Sequence, residues 1–483
     1  MKLSELKRLP DLCGFISTIQ EVETHSTVGR KLLWESDFMT DAKAIEDEFK
    51  TTQYLIEIIS QPSHKRDLSA LQMQFGDIRD ILNTLLKLSA NDTLNDIELF
   101  EIKHFAFSAK RTFELIQQLT NNTLIDNICF YEDIFDKVIK ILDPENSGVS
   151  TFYIYGAYSQ TLVRLRREEA AYSEDPNLLA LTQAKIVEVE QEIRVSLSNR
   201  LTIYSQSLID AINTIAYTDL LFAKAEYAMR LNLCLPKIST DKTEYLGLFN
   251  PEIKEKIEER EGKYQCIDIT FGDYPTLITG INMGGKTLML KTLYLSQMLF
   301  QYGFFVPAQK AHIMVVDEIM LSFTDEQNQA QGLSSFAAEM RQISQIINEI
   351  SDHKKHLILI DELARTTNPK EGAAIVSSML EILQEHNVSS FITTHYDITT
   401  SCRRLRVKGL KDDFKQNHLL NIVQSNNHKK IAPMENVKFL LKNIDYQLID
   451  DMSDQTPNEA IRIAEMLGVN QQLISKAKNK LKK

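Results

Sequence analysis

The chain is short of glycine, proline, long apolar runs and basic charge. Sixteen glycines in 483 residues are about half the usual share of roughly 7%. Only eleven prolines are present. Few helix breakers mean long helices. No stretch approaches the roughly 18 consecutive apolar residues of a membrane span, so no membrane partner is expected. The N-terminus, MKLSELKRLPDLCGF, has no apolar core or cleavage site of the signal-peptide kind, which points to a cytoplasmic protein. The five cysteines, Cys13, Cys129, Cys234, Cys266 and Cys402, are scattered and odd in number. That excludes a disulfide framework and a clustered zinc site. Basic and acidic side chains number 54 and 66, a net charge of −12. An acidic chain is not a general nucleic-acid binder, because phosphate contacts need a basic surface.

What is there divides near residue 240. No proline interrupts Ser63–Asp143 or Asn177–Leu235. In Leu179–Leu197 apolar residues recur largely at three- and four-residue steps, and Leu208, Ile212, Ile215, Leu220, Leu221 and Ala225 continue the pattern. Residues 1–240 are therefore expected to be a helical domain, broken at loops such as Asp143–Gly148 and Ser173–Asn177. This half carries 25 basic and 35 acidic residues, so most of the acidity lies here. After Pro236 come short β-branched runs: Cys266–Phe271, Leu277–Thr279, His312–Val316, Leu357–Ile360 and Ser390–Thr394. Helical stretches Lys286–Gln301, Phe336–Ile350 and Gly372–His386 alternate with them. That alternation implies a mainly parallel sheet covered by helices. The fold class expected is α followed by α/β, with the α/β domain over 241–450 and a helical element over 451–483.

Three glycines cluster in Gly280-Ile281-Asn282-Met283-Gly284-Gly285-Lys286-Thr287. This fits G-x-x-x-x-G-K-[ST] between a strand and a helix. Glycines there turn backbone N–H groups inward around a phosphate, and the new helix points its positive end at the anion. Lys286 would reach the β- and γ-phosphates of ATP, and the Thr287 hydroxyl would ligate Mg²⁺. Further on, the apolar run Leu357–Ile360 ends in Asp361-Glu362. Asp361 suits Mg²⁺, and Glu362 suits activation of the attacking water.

The run Phe391–Thr394 leads into His395. A lone histidine more often satisfies a local hydrogen bond, but its place one strand after the Asp-Glu pair favours contact with the γ-phosphate. Gln331-Gly332-Leu333-Ser334-Ser335-Phe336 precedes a helix. Ser334 or Ser335 serves there as an N-cap, with Glu339 near the helix start, or as part of an anion site; both readings stay open. The C-terminal lysines Lys476, Lys478, Lys480, Lys482 and Lys483 read first as a solvated helix end complementing the dipole.

Together these residues resemble the MutS family of DNA mismatch-repair ATPases of the ABC type. Thr279–Thr287 is similar to its P-loop, with Ile281 in place of the usual proline. Tyr302–Ala308 is similar to the segment that follows. Gly332–Phe336 resembles its signature loop, Asp361–Asn368 its Walker B and D-loop with Ala364 and Thr366 where glycines are usual, and Thr394–Tyr396 its histidine loop. Ala464–Val469 and the helix after it resemble the element that completes its ATPase dimer. Thr27–Leu33 resembles the start of the helical core. Tyr153–Arg167 and Leu220–Leu235 resemble the entry to the lever helices and the return from them.

The resemblance implies a homodimer that binds and hydrolyses ATP with Mg²⁺ and moves its levers. Gly280, Asn282, Met283, Gly284, Gly285, Lys286 and Thr287 would hold nucleotide, and Ser334 would act in trans. It also implies a shortened member, expected to lack the mismatch-recognition and connector domains, most of the clamp between Leu162 and Leu220, and a nuclease-like domain. The client expected is double-stranded DNA; the alternative is a protein client, for example an aminomutase. A non-hydrolysing scaffold is disfavoured because Lys286, Asp361 and Glu362 are all present.

Overall fold

The structure is a computed structural model that describes residues 1–120, 132–280, 284–323, 335–411, 443–451, 460–467 and 469–481. Along the chain, α1 (Leu3–Leu6), α2 (Phe15–Gln20) and α3 (Thr27–Glu35) precede the longer α4 (Ala42–Ile59). Next come α5 (Lys65–Asp77), α6 (Leu82–Ser89), α7 (Asp96–Thr120), α8 (Glu132–Leu142), α9 (Gln160–Ala171), α10 (Pro176–Thr202) and α11 (Ser205–Arg230). Strands begin with β1 (Lys237–Ser239) and β2 (Thr243–Leu248), followed by α12 (Pro251–Glu258), β3 (Ile267–Phe271) and β4 (Pro275–Thr279). Then follow α13 (Lys286–Gln301), β5 (Lys310–Met314), β6 (Glu318–Ser322), α14 (Ser335–Glu349) and β7 (His356–Ile360). The last elements are α15 (Pro369–Glu385), β8 (Ser389–Thr393), β9 (Arg403–Leu410), β10 (Ile444–Asp450), α16 (Ala460–Met466) and α17 (Gln471–Leu481).

The helices start where local chemistry dictates. Asp175 accepts from the Asn177 and Leu178 amides, and Pro176 opens α10. The pairs Asn250-Pro251 and Asn368-Pro369 start α12 and α15 in the same way. A side-chain oxygen satisfies an orphan amide, and proline costs nothing at the first position. The glycine shortage shows at the turns. Asparagines take the left-handed positions at Asn91, Asn146, Asn232 and Asn387, with φ of 63, 54, 52 and 51°. Asparagine tolerates that region better than other residues with a Cβ.

The protein packs as two compact units. The first comprises Met1–Arg8, Gln20–Asp37 and Lys50–Met229. Its core joins α5 through α11 around Phe75, Phe105, Phe113, Phe135 and Phe222. The Phe113 and Phe135 rings stack with centroids 5.7 Å apart. A charged pair lies inside this unit: Lys103 Nζ donates to Asp143 Oδ1 at 3.3 Å, Thr151 O at 2.9 Å and Tyr155 Oη at 2.8 Å. Asp143 also accepts from Ser147 Oγ and the Gly148 amide, which closes the loop after α8.

The second unit comprises Leu9–Ile19, Phe38–Phe49 and Arg230–Lys483. Two segments from the first fifty residues thus belong with the strands. Phe15 packs edge-on against Tyr294, and Gln301 Nε2 donates to Met39 O at 2.9 Å. A four-stranded sheet runs β1-β5-β2-β3, and a six-stranded sheet runs β10-β9-β4-β8-β7-β6. In the larger sheet β9, β4, β8, β7 and β6 are parallel, and β10 is antiparallel to β9. Strands β4, β7 and β8 are buried along their whole length, as expected of a parallel sheet covered on both faces. Among the described residues no helix is long and apolar enough to cross a membrane.

Candidate nucleotide site

Parallel pairing sets the site. Ile278 of β4 lies beside Thr393 of β8, and Ile360 of β7 beside Ile392 of β8. The segments that leave β4, β8 and β7 therefore emerge together at one sheet edge, where ligands of open α/β sheets bind. Gly280 follows β4, Thr394 follows β8 and Asp361 follows β7. The Thr394 amide donates to Ile278 O, and the Asp361 amide to Ser322 O of β6.

Two glycines at this edge are required by geometry. Gly280 has φ +138°, and a Cβ there would lie 3.1 Å from Val407 Cβ. Gly285 has φ +77° and precedes α13 with no side chain capping the helix. A Cβ on Gly285 would come within 3.3 Å of the Tyr446 ring. The sixteen-residue α13 thus starts without a side-chain cap and with the positive end of its dipole at the strand edge. Lys286 is buried, with Nζ donating to Gly280 O at 2.8 Å. Burial pulls its ammonium below the ordinary lysine range, and the nearby Glu362 and Asp361 charges oppose that shift.

The carboxylates are tied in by hydroxyls. Thr287 Oγ1 donates to Asp361 Oδ2 at 2.7 Å, and Thr393 Oγ1 donates to Asp361 Oδ1 at 2.7 Å. Thr393 Oγ1 in turn accepts from the Glu362 amide at 2.7 Å. Glu362 has φ +50° and its Oε2 accepts from Arg365 at 3.0 Å. The Thr287 hydroxyl and the Asp361 carboxylate form a hard oxygen set of the kind Mg²⁺ takes beside substrate phosphates and water. By donor chemistry the residues fit that ion.

The structure brings Gly280, Gly285, Lys286, Thr287, Asp361 and Glu362 to one edge, and Gly284 adjoins Gly285 there. His395 follows β8 on the same edge, exposed, with its ring centroid 4.5 Å from that of Tyr396. Among the described residues it makes no hydrogen bond to the others. Asn282, Met283 and Ser334 lie outside the described residues. No local signal marks Thr393, whose hydroxyl joins Asp361 to the Glu362 amide. In the sequence it is one more β-branched residue in a strand.

Residues 276–483 match MutS domain V. The chain is 36% identical over 222 residues to the protein named Endonuclease MutS2 of Pediococcus pentosaceus, covering 45% of this chain and 27% of that protein. It is 33% identical over 246 residues to the protein of the same name from Finegoldia magna, covering 50% and 30%. With that of Streptococcus pneumoniae it shares 31% identity over 346 residues, covering 71% and 38%. The chain thus spans well under half the length of these relatives.

Proposed function

The chain belongs to the MutS family, and from that premise we propose that it is a homodimeric ATPase that couples ATP binding and hydrolysis to lever movement on double-stranded DNA. The observation that carries this reading is the hydrogen-bonded chain Thr287–Asp361–Thr393–Glu362 beside the buried Lys286. In the same reading residues 1–240 form the helical core and levers, 241–450 the ATPase domain and 451–483 the dimerisation element.

The chemistry follows from the residues. The α13 amides and the Lys286 ammonium would hold the β- and γ-phosphate charge as the phosphoryl group transfers. Thr287 and Asp361 would hold Mg²⁺, which supplies positive charge to the phosphate oxygens. Water attacks the γ-phosphorus, the bond to the bridging oxygen breaks, and ADP departs with that oxygen. Glu362 orients the water and takes its proton. Arg365 bonds Glu362 Oε2, which leaves Oε1 for the water. His395, exposed at the same edge, would bond a γ-phosphate oxygen. By family analogy Ser334 would reach the nucleotide of the second copy, as other NTPases borrow a group from a partner.

The relatives are named endonucleases, and that supports DNA as the client. The test is the ATPase rate with no DNA and with homoduplex, mismatched and branched duplexes at several salt concentrations. Duplex should change the rate, and its affinity should fall with salt, by a slope of about 0.9 per phosphate contact on logarithmic axes. Absence of duplex binding at low salt would remove DNA from the proposal and leave the ATPase standing.

A further inference from the structure

The turn that carries Glu362 is strained. Glu362 and Ala364 have φ of +50° and +60°, a left-handed region that is strained for residues with a Cβ. Such a turn persists only where its surroundings over-determine it. Here both polar groups of Ala364 are held by side chains from other elements. Its amide donates to Glu339 Oε1 of α14 at 2.7 Å, and its carbonyl accepts from Tyr396 Oη at 2.7 Å. The Tyr396 ring is itself wedged: a Cβ on Gly372 would lie 2.6 Å from it. Leu363 and Ala364 are fully buried. The Glu362 amide is held separately by Thr393.

We propose that Glu339 is a positioning residue for the hydrolytic step, holding the Glu362–Ala364 turn in its strained form and tying it to α14. Glu339 does not touch the reacting atoms. It acts by fixing the Ala364 peptide, two residues from the base, while Tyr396 fixes the opposite side of that residue. Any shift of α14 therefore pulls on the turn that aims Glu362. Burial pushes the Glu339 carboxyl above its ordinary range, with the Ala364 amide and Arg365 working against that rise. An acceptor oxygen, rather than a charge, is what the Ala364 amide needs. The inference rests on the ATPase reading.

The test uses the full chain and compares Glu339→Ala, Glu339→Gln and Tyr396→Phe with the wild type. The readouts are ATP affinity, KM, kcat, thermal midpoint and amide hydrogen exchange across residues 361–367. Glu339→Ala should lower kcat by about 10- to 100-fold, the range for a small misplacement of a catalytic group. Its ATP affinity and KM should stay within about twofold, and exchange at Ala364 should rise. Glu339→Gln keeps an acceptor oxygen and should recover kcat to within about threefold of wild type. Tyr396→Phe should lower kcat in the direction of Glu339→Ala. The proposal is overturned if Glu339→Ala turns over at the wild-type rate, or if Glu339→Gln is as impaired as Glu339→Ala. It is also overturned if Glu339→Ala melts early and exchange rises throughout the second unit, since Glu339 would then be only a packing residue. A wild-type protein that binds ATP without hydrolysing it would fail the ATPase reading first, and the positioning role would fall with it.

Discussion

Thr287 Oγ1 donates to Asp361 Oδ2 at 2.7 Å although 74 positions separate the two residues. The contact joins the first turn of α13 to the end of β7. It brings a hydroxyl and a carboxylate together at the edge where three parallel strands end. If this pair holds Mg²⁺, Asp361→Asn should leave the fold intact and flatten the dependence of ATP turnover on Mg²⁺. Titrating Mg²⁺ into metal-stripped wild type should restore turnover, and the same titration into Asp361→Asn should restore little. Matching titration curves would remove Asp361 from the metal site.

Lys286 tests the phosphate cradle. Its Nζ bonds the Gly280 carbonyl, a neutral partner that a phosphate oxygen readily replaces. A hydrogen bond to a charged group contributes about 1.5–3 kcal/mol. Lys286→Ala should therefore weaken ATP binding by roughly 10- to 150-fold. Equilibrium titration with a fluorescent ATP analogue measures it. Wild-type affinity in the variant would sink the P-loop assignment.

Much of this site was legible in the sequence because local chemistry encodes it. The glycine cluster before Lys286 and the apolar run ending at Asp361 each carry their signal within ten residues. The start of α13 lies at Lys286, as the spacing implied. Other features were hidden by distance. Strand β9 sets Arg403, Arg406 and Lys408 among apolar residues, and the sequence alone does not show what neutralises them. The answer is β10 and the residue after it: Asp450 pairs with Arg403, Asp451 with Arg406 and Asp445 with Lys408. Residues 9–19 and 38–49 pack in the second unit through contacts such as Met39 to Gln301, which no local pattern announces. Glu339 looked like a helix-start residue, yet its carboxylate serves a turn 25 positions away.

Glu362 separates binding from chemistry. Its amide is tied to Asp361 through the Thr393 hydroxyl, and its carboxylate rests on Arg365. Glu362→Ala should keep ATP affinity and lose turnover by about 10²- to 10⁴-fold, the usual contribution of a general base. ATP should then persist in the site and hold two copies together. Sedimentation with and without ATP should show the variant as a stable dimer. Unimpaired turnover in Glu362→Ala would defeat its assignment as the base.

The buried pair in the helical unit makes a prediction about acid and stability. Burial alone would raise the Asp143 carboxyl. Hydrogen bonds from Ser147, Gly148 and Lys103 outweigh it and hold the group at about 2, below the ordinary 3.8. A depressed carboxylate stabilises the fold above its unfolded pKa, and that contribution disappears as pH falls through the folded value. The Asp143 contribution should therefore be complete above about pH 4 and vanish as pH falls through about 2. Lys103 is wholly buried, so removing its charge leaves Asp143 uncompensated. Breaking such a pair costs about 3–5 kcal/mol. Urea unfolding of Lys103→Met at pH 7, followed by a signal from the helical unit, should show a loss of that order. Asp143→Asn should unfold with a shallower acid dependence between about pH 4 and pH 2. An unchanged midpoint in Lys103→Met would mean that the loop from Asp143 to Tyr155 is held by other contacts.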